Sequence, residues 1–511
     1  MEHESVGSAK SGLSARQDFA SNLPPSRPQI TNSGYSQHGA SRTKPSLIKW
    51  YTSSKSPSED ISQNIELLRE RSRDLYSGGG PLGRGAIDRI CLNAIGSGLK
   101  LNVRIDPERL GMNEQQAGEW SAKTEAEFDY WASSKNSDYG RELNFYELQC
   151  LALKAILLDG EALIIPKYQK TTRFPYSLCL QLIEAERLQV PDNRSNALID
   201  EGVELDLEGR VAAYHIANRN PNAELSGLPP VEWKRIPVFD SQGRRNIWHI
   251  FPRERINQHR GVPFLAPVVE QLKQLSRYTE AELMAAVVSG MFAIFFEHEA
   301  RDDGAYGEED YAVEQGLGSV PGLENISIQE MSGTMMELPE GVKATSISPG
   351  RPNQNFNLFV ESLVHQIGGC LGIPSELLFL HFTSSYSASR GALLEAWKVF
   401  KNWRKWFSDE FCQPVYELWL DEAVSLGRIN APDYWEDDYQ AKLYAWSEWT
   451  GPSQGQLNPV QEVQASVLKL ENNLSTYQRE CGELTGEDWD LVMSQRMREK
   501  WKIPEQEVTP E

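Results

Sequence analysis

The residues that could do enzyme chemistry form no complete catalytic motif in this sequence. His298 and Glu299 begin the H-E-x-x-H pattern, in which two histidines one helical turn apart bind zinc, but Asp302 stands where the second histidine would be. Segment 78–83 fits the phosphate-binding pattern G-x-G-x-x-G. No strand is predicted before it, however, and Pro81 lacks the amide N–H that a phosphate would need. We interpret this segment as a turn between two helices.

The signature of a nucleotide-binding P-loop is also missing from the sequence. The chain has no Gly-Lys dipeptide, and hence no G-x-x-x-x-G-K-[ST] loop. Its six cysteines include no C-x-x-C pair, which indicates neither a zinc site nor a disulfide framework and suits a reducing cytoplasm. We therefore expect no enzyme, no catalytic residue, no metal and no cofactor. A soluble DNA-processing enzyme with an unrecognised site is the alternative.

Two histidines lie inside segments that are predicted to be strands, His215 and His249. Neither has a neighbour at the spacing of a metal-binding pair. We expect both to be packed strand residues rather than ligands.

The net charge of -21 argues against a protein that holds nucleic acid over a broad surface, because such affinity comes from Lys and Arg replacing counterions. It does not argue against a protein that lets nucleic acid pass. The charge is uneven, since segment 297–314 holds eight acidic residues and one arginine. By itself such a run indicates a solvated loop. No apolar segment reaches the ~20 residues of a spanning helix, so we expect no membrane contact and no signal peptide.

Two amphipathic helices separated by a polar segment are the centre of the predicted organisation. The first begins near residue 352 and places apolar side chains three or four positions apart as far as Leu371, where a glycine and a proline end it. Segment 381–390 follows and is rich in hydroxyl side chains. From Ala388 a second apolar stripe keeps helical spacing as far as Trp419. The polar segment is either a functional loop or an ordinary connection between helices.

The rest of the chain predicts an α+β fold that is predominantly helical. Residues 1–45 are rich in Ser, Pro, Gly, Asn and Gln, and we expect a disordered arm. Helical patterns then give way to a β region near 161–251, in which segment 203–216 has the pattern of a β-hairpin. A helix is predicted from Leu265, and further helical pieces close the chain.

Several short motifs follow one another in a specific order between Ile65 and Trp501. They are Leu182-Ile183-Glu184-Ala185-Glu186-Arg187-Leu188, Gly202-Val203-Glu204-Leu205-Asp206, Gly209-Arg210, Ala213-Tyr214-His215-Ile216, Gln258-His259-Arg260-Gly261-Val262-Pro263, Gly341, Leu371-Gly372-Ile373-Pro374, Tyr386-Ser387-Ala388-Ser389-Arg390, Trp449-Thr450-Gly451-Pro452 and Asn458-Pro459. In order and spacing these motifs resemble the lambda-type portal proteins of tailed bacteriophages. Asn458 departs from the resemblance, since the family more often has Asp at that position.

The resemblance implies a portal fold with a wing, a two-helix stem, an α/β clip, a tunnel loop and a helical crown. The family's parts map onto this chain in sequence order. They are a disordered arm at 1–45, an α+β wing at 46–260, the first stem helix at 261–290, the clip at 291–345, the second stem helix at 346–375, the tunnel loop at 376–388, the long wing helix at 389–427 and the crown at 428–511.

The resemblance also implies a function. It is a ring of twelve copies at one capsid vertex of a virion, assembled in the host cytoplasm, through which double-stranded DNA is packaged and ejected without sequence preference. The implied partners are other copies of the chain, the large terminase subunit, the head-tail adaptor, and the major capsid and scaffolding proteins. The implied sites are a tunnel loop of His381, Thr383, Ser384, Ser385, Tyr386 and Ser387, docking residues in the clip at Glu299, Asp302, Asp303, Glu308, Glu309 and Asp310, and stem-packing residues Leu272, Leu275, Phe359, Leu363 and Ile367.

Two physical arguments agree with this interpretation. Amphipathic helices on either side of a small mixed domain can bury their stripes against each other and against neighbouring copies, which is the heterologous contact that closes a ring. A conduit must also release its cargo. If each of the twelve copies placed one lysine on a phosphate, the ring would make more than the ~6–10 phosphate contacts that already bind DNA tightly. A loop of uncharged hydroxyl side chains makes no such ion pairs.

Overall fold

The computed structural model describes residues 41–500 except 42–43, 48, 53, 79, 192–197, 224–226, 228, 292–294, 299–341, 346–354, 383–384 and 457. The chain divides into a short unit, Met1–Ser56, and a large unit, Pro57–Glu511. In the short unit the described backbone forms turns, one closed by a hydrogen bond from the Leu47 N–H to the Lys44 carbonyl at 2.9 Å. The elements below all belong to the large unit.

The described part of the large unit is mostly helical with short antiparallel strands, so the predicted α+β class is confirmed. The helices are α1 (Pro57–Ser62), α2 (Ile65–Ser77), α3 (Pro81–Ala94), α4 (Glu114–Ala132), α5 (Phe145–Asp159), α6 (Val269–Met291), α7 (Phe356–Leu371), α8 (Ser375–Phe379), α9 (Tyr386–Phe407), α10 (Gln413–Ser425), α11 (Asp438–Tyr444), α12 (Pro459–Glu471), α13 (Tyr477–Leu484) and α14 (Trp489–Lys500). The strands are β1 (Lys100–Val103), β2 (Ala162–Tyr168), β3 (Leu178–Ile183), β4 (Ile199–Asp200), β5 (Val203–Leu205), β6 (Val211–Ala217), β7 (Trp233–Pro237), β8 (Trp248–Ile250), β9 (Phe295–His298), β10 (Val342–Thr345) and β11 (Ser447–Thr450).

The main hydrophobic core joins the helices α4, α5 and α10 through aromatic side chains. Phe128 on α4 lies at its centre and meets Phe145, Tyr416 and Trp419 edge to face, with ring centroids 5.8, 5.6 and 5.1 Å away. Such pairs add about 0.5–1.5 kcal/mol each to the burial of their area. These contacts fix the far end of the long helical stretch that begins at α9.

The β region contains two antiparallel sheets that enclose a smaller second core. One has the order β3-β2-β8 and the other β4-β5-β6-β7. The predicted hairpin at 203–216 is present as β5 and β6, with a register shift at Glu204/Leu205. Leu163 from the first sheet and Ile216 from the second lie in this core. The aliphatic side chains between the sheets therefore explain why this segment alternates as strands do.

The long helix is continuous from α9 to α10, over about 60 Å at 1.5 Å per residue. Its middle turn, Ser408–Cys412, is a π-helix in which the Gln413 N–H bonds to the Ser408 carbonyl five residues earlier. Pro414 explains the wider turn, because proline has no N–H to give to a carbonyl four residues before it. The helix thus continues past a proline.

Several boundaries differ from the sequence prediction. A turn at residues 63–64 separates α1 from α2, and α3 begins at Pro81 because proline suits the first helical position. The helices α8 and α11 and the strand β11 were not predicted. β11 pairs with β1, placing Thr450 opposite Lys100, and such distant pairing leaves little local pattern.

Candidate channel loop and its supports

The polar connection between α8 and α9 is shorter than the predicted loop at 376–388. α8 occupies the start of that range, and α9 begins at Tyr386 rather than after Ala388. The connection therefore spans 380–385, in which Thr383 and Ser384 lie outside the described residues. Of the predicted tunnel-loop residues, His381 and Ser385 are in the connection, whereas Tyr386 and Ser387 belong to the first turn of α9.

Local hydrogen bonds and one left-handed residue hold the ends of this connection. Leu380 ends α8 with a φ of 54°, and the His381 N–H donates to the Glu376 carbonyl at 3.1 Å. Ser385 caps α9, with its side chain accepting from the Ala388 N–H at 3.4 Å. Because serine satisfies an otherwise free helix N–H, its hydroxyl has a structural role at this position.

The connection presents apolar as well as polar groups to solvent in the isolated subunit. His381 and Ser385 are exposed, and Leu380 and Phe382 are 56% and 48% exposed. Sequence reasoning attended to the hydroxyls and gave these two apolar side chains no role. Large apolar residues on an exposed connection are the signal that it missed.

Ser375, His365 and Glu376 lie next to this connection but do not form a catalytic triad. The Ser375 Oγ lies 3.0 Å from His365 Nδ1 and 3.2 Å from Glu376 Oε2. A triad needs the histidine between the serine and the acid, whereas here the serine is in the middle. Among the residues described, no group of three or more His, Cys, Asp or Glu side chains could hold a metal ion.

Arg404 holds the last turn of α9 against neighbouring segments. Its Nε donates to the Ala94 carbonyl at 2.9 Å, and its Nη2 donates to the Asn93 and Pro452 carbonyls at 3.0 and 2.7 Å. Its guanidinium also lies over the Trp397 ring, 5.5 Å from the centroid. Burial lowers the pKa of Arg404 to about 10, so it stays charged at neutral pH. This arginine joins α3, α9 and the segment that leads to α12, and sequence reasoning gave it no role.

The stem prediction concerns α6 and α7, which contact each other through aromatic rings. Tyr278 stacks on Phe356 at 5.6 Å and meets Phe359 edge-on at 5.0 Å. The predicted packing residues differ in how deeply they are buried. Leu272, Leu275 and Ile367 are buried, Leu363 is partly buried, and Phe359 is 48% exposed.

Other apolar side chains of α6 and α7 point into solvent. On α6, Leu283, Met284 and Val287 are 64%, 57% and 48% exposed, and on α7 Leu358 is 67% exposed. Exposed apolar patches usually mark surfaces that contact another molecule. These side chains therefore indicate a contact surface on α6 and α7.

A buried charge network joins the β region to the segment that leads to α6. Glu161 is at its centre and accepts from Arg69 Nη2 at 2.8 Å and from Arg260 Nη2 at 2.6 Å. The Gly261 N–H and His249 Nε2 lie 2.8 and 3.0 Å from its other oxygen. Burial opposes the charge of Glu161, but the two arginines and His249 outweigh burial and hold its pKa well below the usual value.

Arg260 connects the sequence motifs that carry the family resemblance. Besides Glu161, its guanidinium donates to the carbonyls of Ala185 at 3.2 Å and Leu188 at 3.0 Å, and to that of Glu201. The motifs at 182–188 and 258–263 therefore meet at one side chain.

The predicted strand histidines are both buried and paired with glutamates. His249 lies against Glu161, and burial lowers its pKa, so it is neutral and donates its Nε2 proton. His215 Nε2 lies 2.9 Å from Glu204, which also binds Arg235. Neither histidine belongs to a possible metal cluster in the described part of the chain.

Two backbone segments touch beside this network. Gly160 ends α5 with a φ of 90°, and a Cβ built on Gly261 would overlap the Gly160 carbonyl. The Phe264 N–H donates to the Leu157 carbonyl at 3.0 Å a little further on. No side chain fits between the two glycines.

The predicted clip has only its base in the described residues. β9 and β10 pair antiparallel, with Val342 opposite His298. The predicted docking residues, which lie outside the described part of the chain, are Glu299, Asp302, Asp303, Glu308, Glu309 and Asp310. No helix in the described residues is long and apolar enough to span a membrane.

Comparisons with known proteins agree with the resemblance in the sequence. A family model described as phage portal protein, lambda family, matches residues 43–404. Portal protein B of Escherichia phage lambda is 24% identical over 473 residues, which cover 89% of this chain and 87% of that protein. The portal protein of Escherichia phage N15 is also 24% identical, over 468 residues with the same coverage.

Solved structures that match include chains from gene transfer agent (GTA) particles. A chain from the virion of the native particle is 14% identical with a TM-score of 0.43, covering 82% of this chain and 92% of its own length. A chain from the neck of the native particle, computed with C12 symmetry, is 13% identical with the same TM-score and coverage.

Proposed function

Because the chain belongs to the lambda family of phage portal proteins, we propose that its copies close into a ring of twelve at one capsid vertex of a virion, as the conduit for double-stranded DNA during packaging and ejection. The named relatives are portal proteins, a structural role, and we propose that this chain too has no enzymatic activity. The large terminase subunit and the head-tail adaptor would dock at the clip, and the major capsid and scaffolding proteins at the outer surface.

The observation that carries the ring is the exposed apolar face of the stem. The side chains of Leu283, Met284 and Leu358 are each more than half exposed in the single subunit. Full burial of an exposed Leu side chain is favourable by about 1.5–3 kcal/mol. In a ring, a neighbouring copy buries these side chains. Because the same heterologous contact repeats around a closed ring, the apolar face of every copy is covered.

The conduit proposal relies on charge and on the connection at 380–385. A chain of net charge -21 would repel the DNA backbone over most of its surface, which favours passage over retention. The connection offers His381, Phe382 and Ser385, with neither lysine nor arginine among its described residues. A mixed polar and apolar rim of this kind can touch a duplex without holding it by ion pairs.

Negative-stain microscopy of the purified protein tests the ring. We expect rings for the unaltered chain and their loss in Leu283→Asp, which puts a charge on the exposed apolar face. The matched control is Lys170→Asp, which adds the same residue at an exposed site in the β region. Monomers alone at high concentration for the unaltered chain would refute the ring. Intact rings in Leu283→Asp would refute the stem as the contact.

A further inference from the structure

A cleft of about 370 Å³ opens between the two sheets of the β region, and its lining includes no residue of the connection at 380–385, of α6 or of α7. Four isoleucines form its floor, two from each sheet, and all are less than a tenth exposed. They lie at the edge of the second core, where the sheets separate. The four are Ile165, Ile183, Ile216 and Ile236.

Two lysines lie on opposite walls at the mouth of this cleft. Lys167 comes two residues after Ile165 on β2, and Lys234 comes two residues before Ile236 on β7. Because strand side chains alternate, each lysine is on the same face as its isoleucine. Both sheets thus present apolar groups within the cleft and an ammonium group at its entrance.

The charge at this mouth is not balanced. Burial lowers the pKa of Lys167, and the charge of Lys234 lowers it further, which indicates that the two ammonium groups repel each other. Among the described residues, neither lysine forms an ion pair. Arg187 adds a third positive charge while its Nε donates to the Ala217 carbonyl at 2.8 Å. Glu232 is the one acidic residue in the lining.

We propose that this cleft is a docking site for an acidic peptide segment of another protein. An apolar side chain of the segment packs on the isoleucine floor, and its carboxylates lie between Lys167 and Lys234. Charge complementarity at the mouth selects an acidic partner, and the floor selects one with an apolar anchor. A nucleic-acid backbone offers phosphates but nothing for the floor. The proposal goes beyond the ring and the conduit and does not depend on either.

Fluorescence anisotropy with short labelled peptides tests the site on the intact protein. The probe is a peptide of glutamates around one central isoleucine, compared with a peptide that has serine in place of isoleucine and one that has lysines in place of glutamates. We expect the first to bind, the serine peptide to bind at least about tenfold more weakly, and the lysine peptide not to bind. Equal binding of the isoleucine and serine peptides would overturn the proposal.

Variants place the binding in the cleft. Lys167→Glu with Lys234→Glu should weaken the probe at least about tenfold, and the neutral pair Lys167→Gln with Lys234→Gln should weaken it less. Lys170→Glu is the matched control, because Lys170 is exposed and does not line the cleft. Circular dichroism confirms folding, and the glutamine pair still tests the site if the glutamate pair misfolds. Unchanged affinity in both pairs, or displacement by duplex DNA or inorganic phosphate as effective as by unlabelled probe, would refute an acidic-peptide site.

Discussion

Replacing Glu161 with glutamine should loosen the junction between the β region and the segment that leads to α6. The substitution keeps the size of the side chain but removes the negative charge that compensates Arg69 and Arg260, both 97% buried. Breaking a buried ion pair from one side costs about 3–5 kcal/mol, since a charge is then left without a partner. The Gly261 N–H also loses a charged acceptor at 2.8 Å.

Local hydrogen exchange measured by mass spectrometry can detect this loss. Peptides that cover 182–188 and 258–263 should exchange faster by a factor of about 100 to 4,000, because each loss of about 1.4 kcal/mol corresponds to a tenfold change in the opening equilibrium. Peptides from α12 should be unchanged, as that helix lies outside the network. The measurement therefore reports on the junction rather than on unfolding of the whole chain.

The matched control is Glu395→Gln, which removes an exposed ion pair with Lys398 at 2.6 Å. Exposed pairs contribute about 0–1 kcal/mol, so its exchange should change by less than about fivefold. The reasoning is refuted if Glu161→Gln behaves like this control, because the buried charge would then have been compensated by other groups.

Three further predictions concern the connection, the acidic segment and one carboxylate. Shortening the connection within 381–387 should leave rings intact in negative stain while lowering the amount of DNA packaged in an in vitro assay; loss of rings would place the connection in the subunit contact instead. Replacing the acidic residues of 297–314 with their amides should weaken binding of the terminase or adaptor in a pull-down, and unchanged binding would return the segment to a solvated loop. Burial, which outweighs the hydrogen bond from the Val103 N–H, raises the pKa of Glu125 to about 7. Its ionisation therefore reduces the stability of the folded protein as the pH rises from about 4.5 to 7. Glu125→Gln should be more stable than the parent by about 1–3 kcal/mol at pH 8 and equal to it at pH 4. If the variant and the parent have the same urea midpoint at pH 8 as well as at pH 4, this prediction is wrong.

The elements with a strong period could be predicted from the sequence. The apolar stripe of the long helix and the hairpin at 203–216 both follow from local spacing and are present. α8 was not predicted, because its five residues are too few to show a helical period. The pairing of β1 with β11 was not predicted either, since about 350 residues separate the partners and nothing in either strand names the other.

The charge network shows why sites are harder to predict than elements. Glu161 lies 92 residues from Arg69 and 99 from Arg260, so no spacing rule connects the three. Arg260 could be recognised as part of a motif, but its partners depend on how the sheets and helices pack. The same applies to Arg404, whose acceptors are backbone carbonyls that carry no sequence signature.

The contact between Gly160 and Gly261 has a mechanical consequence. Where two elements meet through side chains, changes of rotamer can absorb part of an applied force. Here backbone meets backbone, and Glu161 binds both the Gly261 N–H and the side chain of Arg260 beside the contact. A force on the segment that leads to α6, such as DNA moving through the proposed ring would exert, would therefore reach the end of α5 and the start of β2 through backbone contact rather than through side chains.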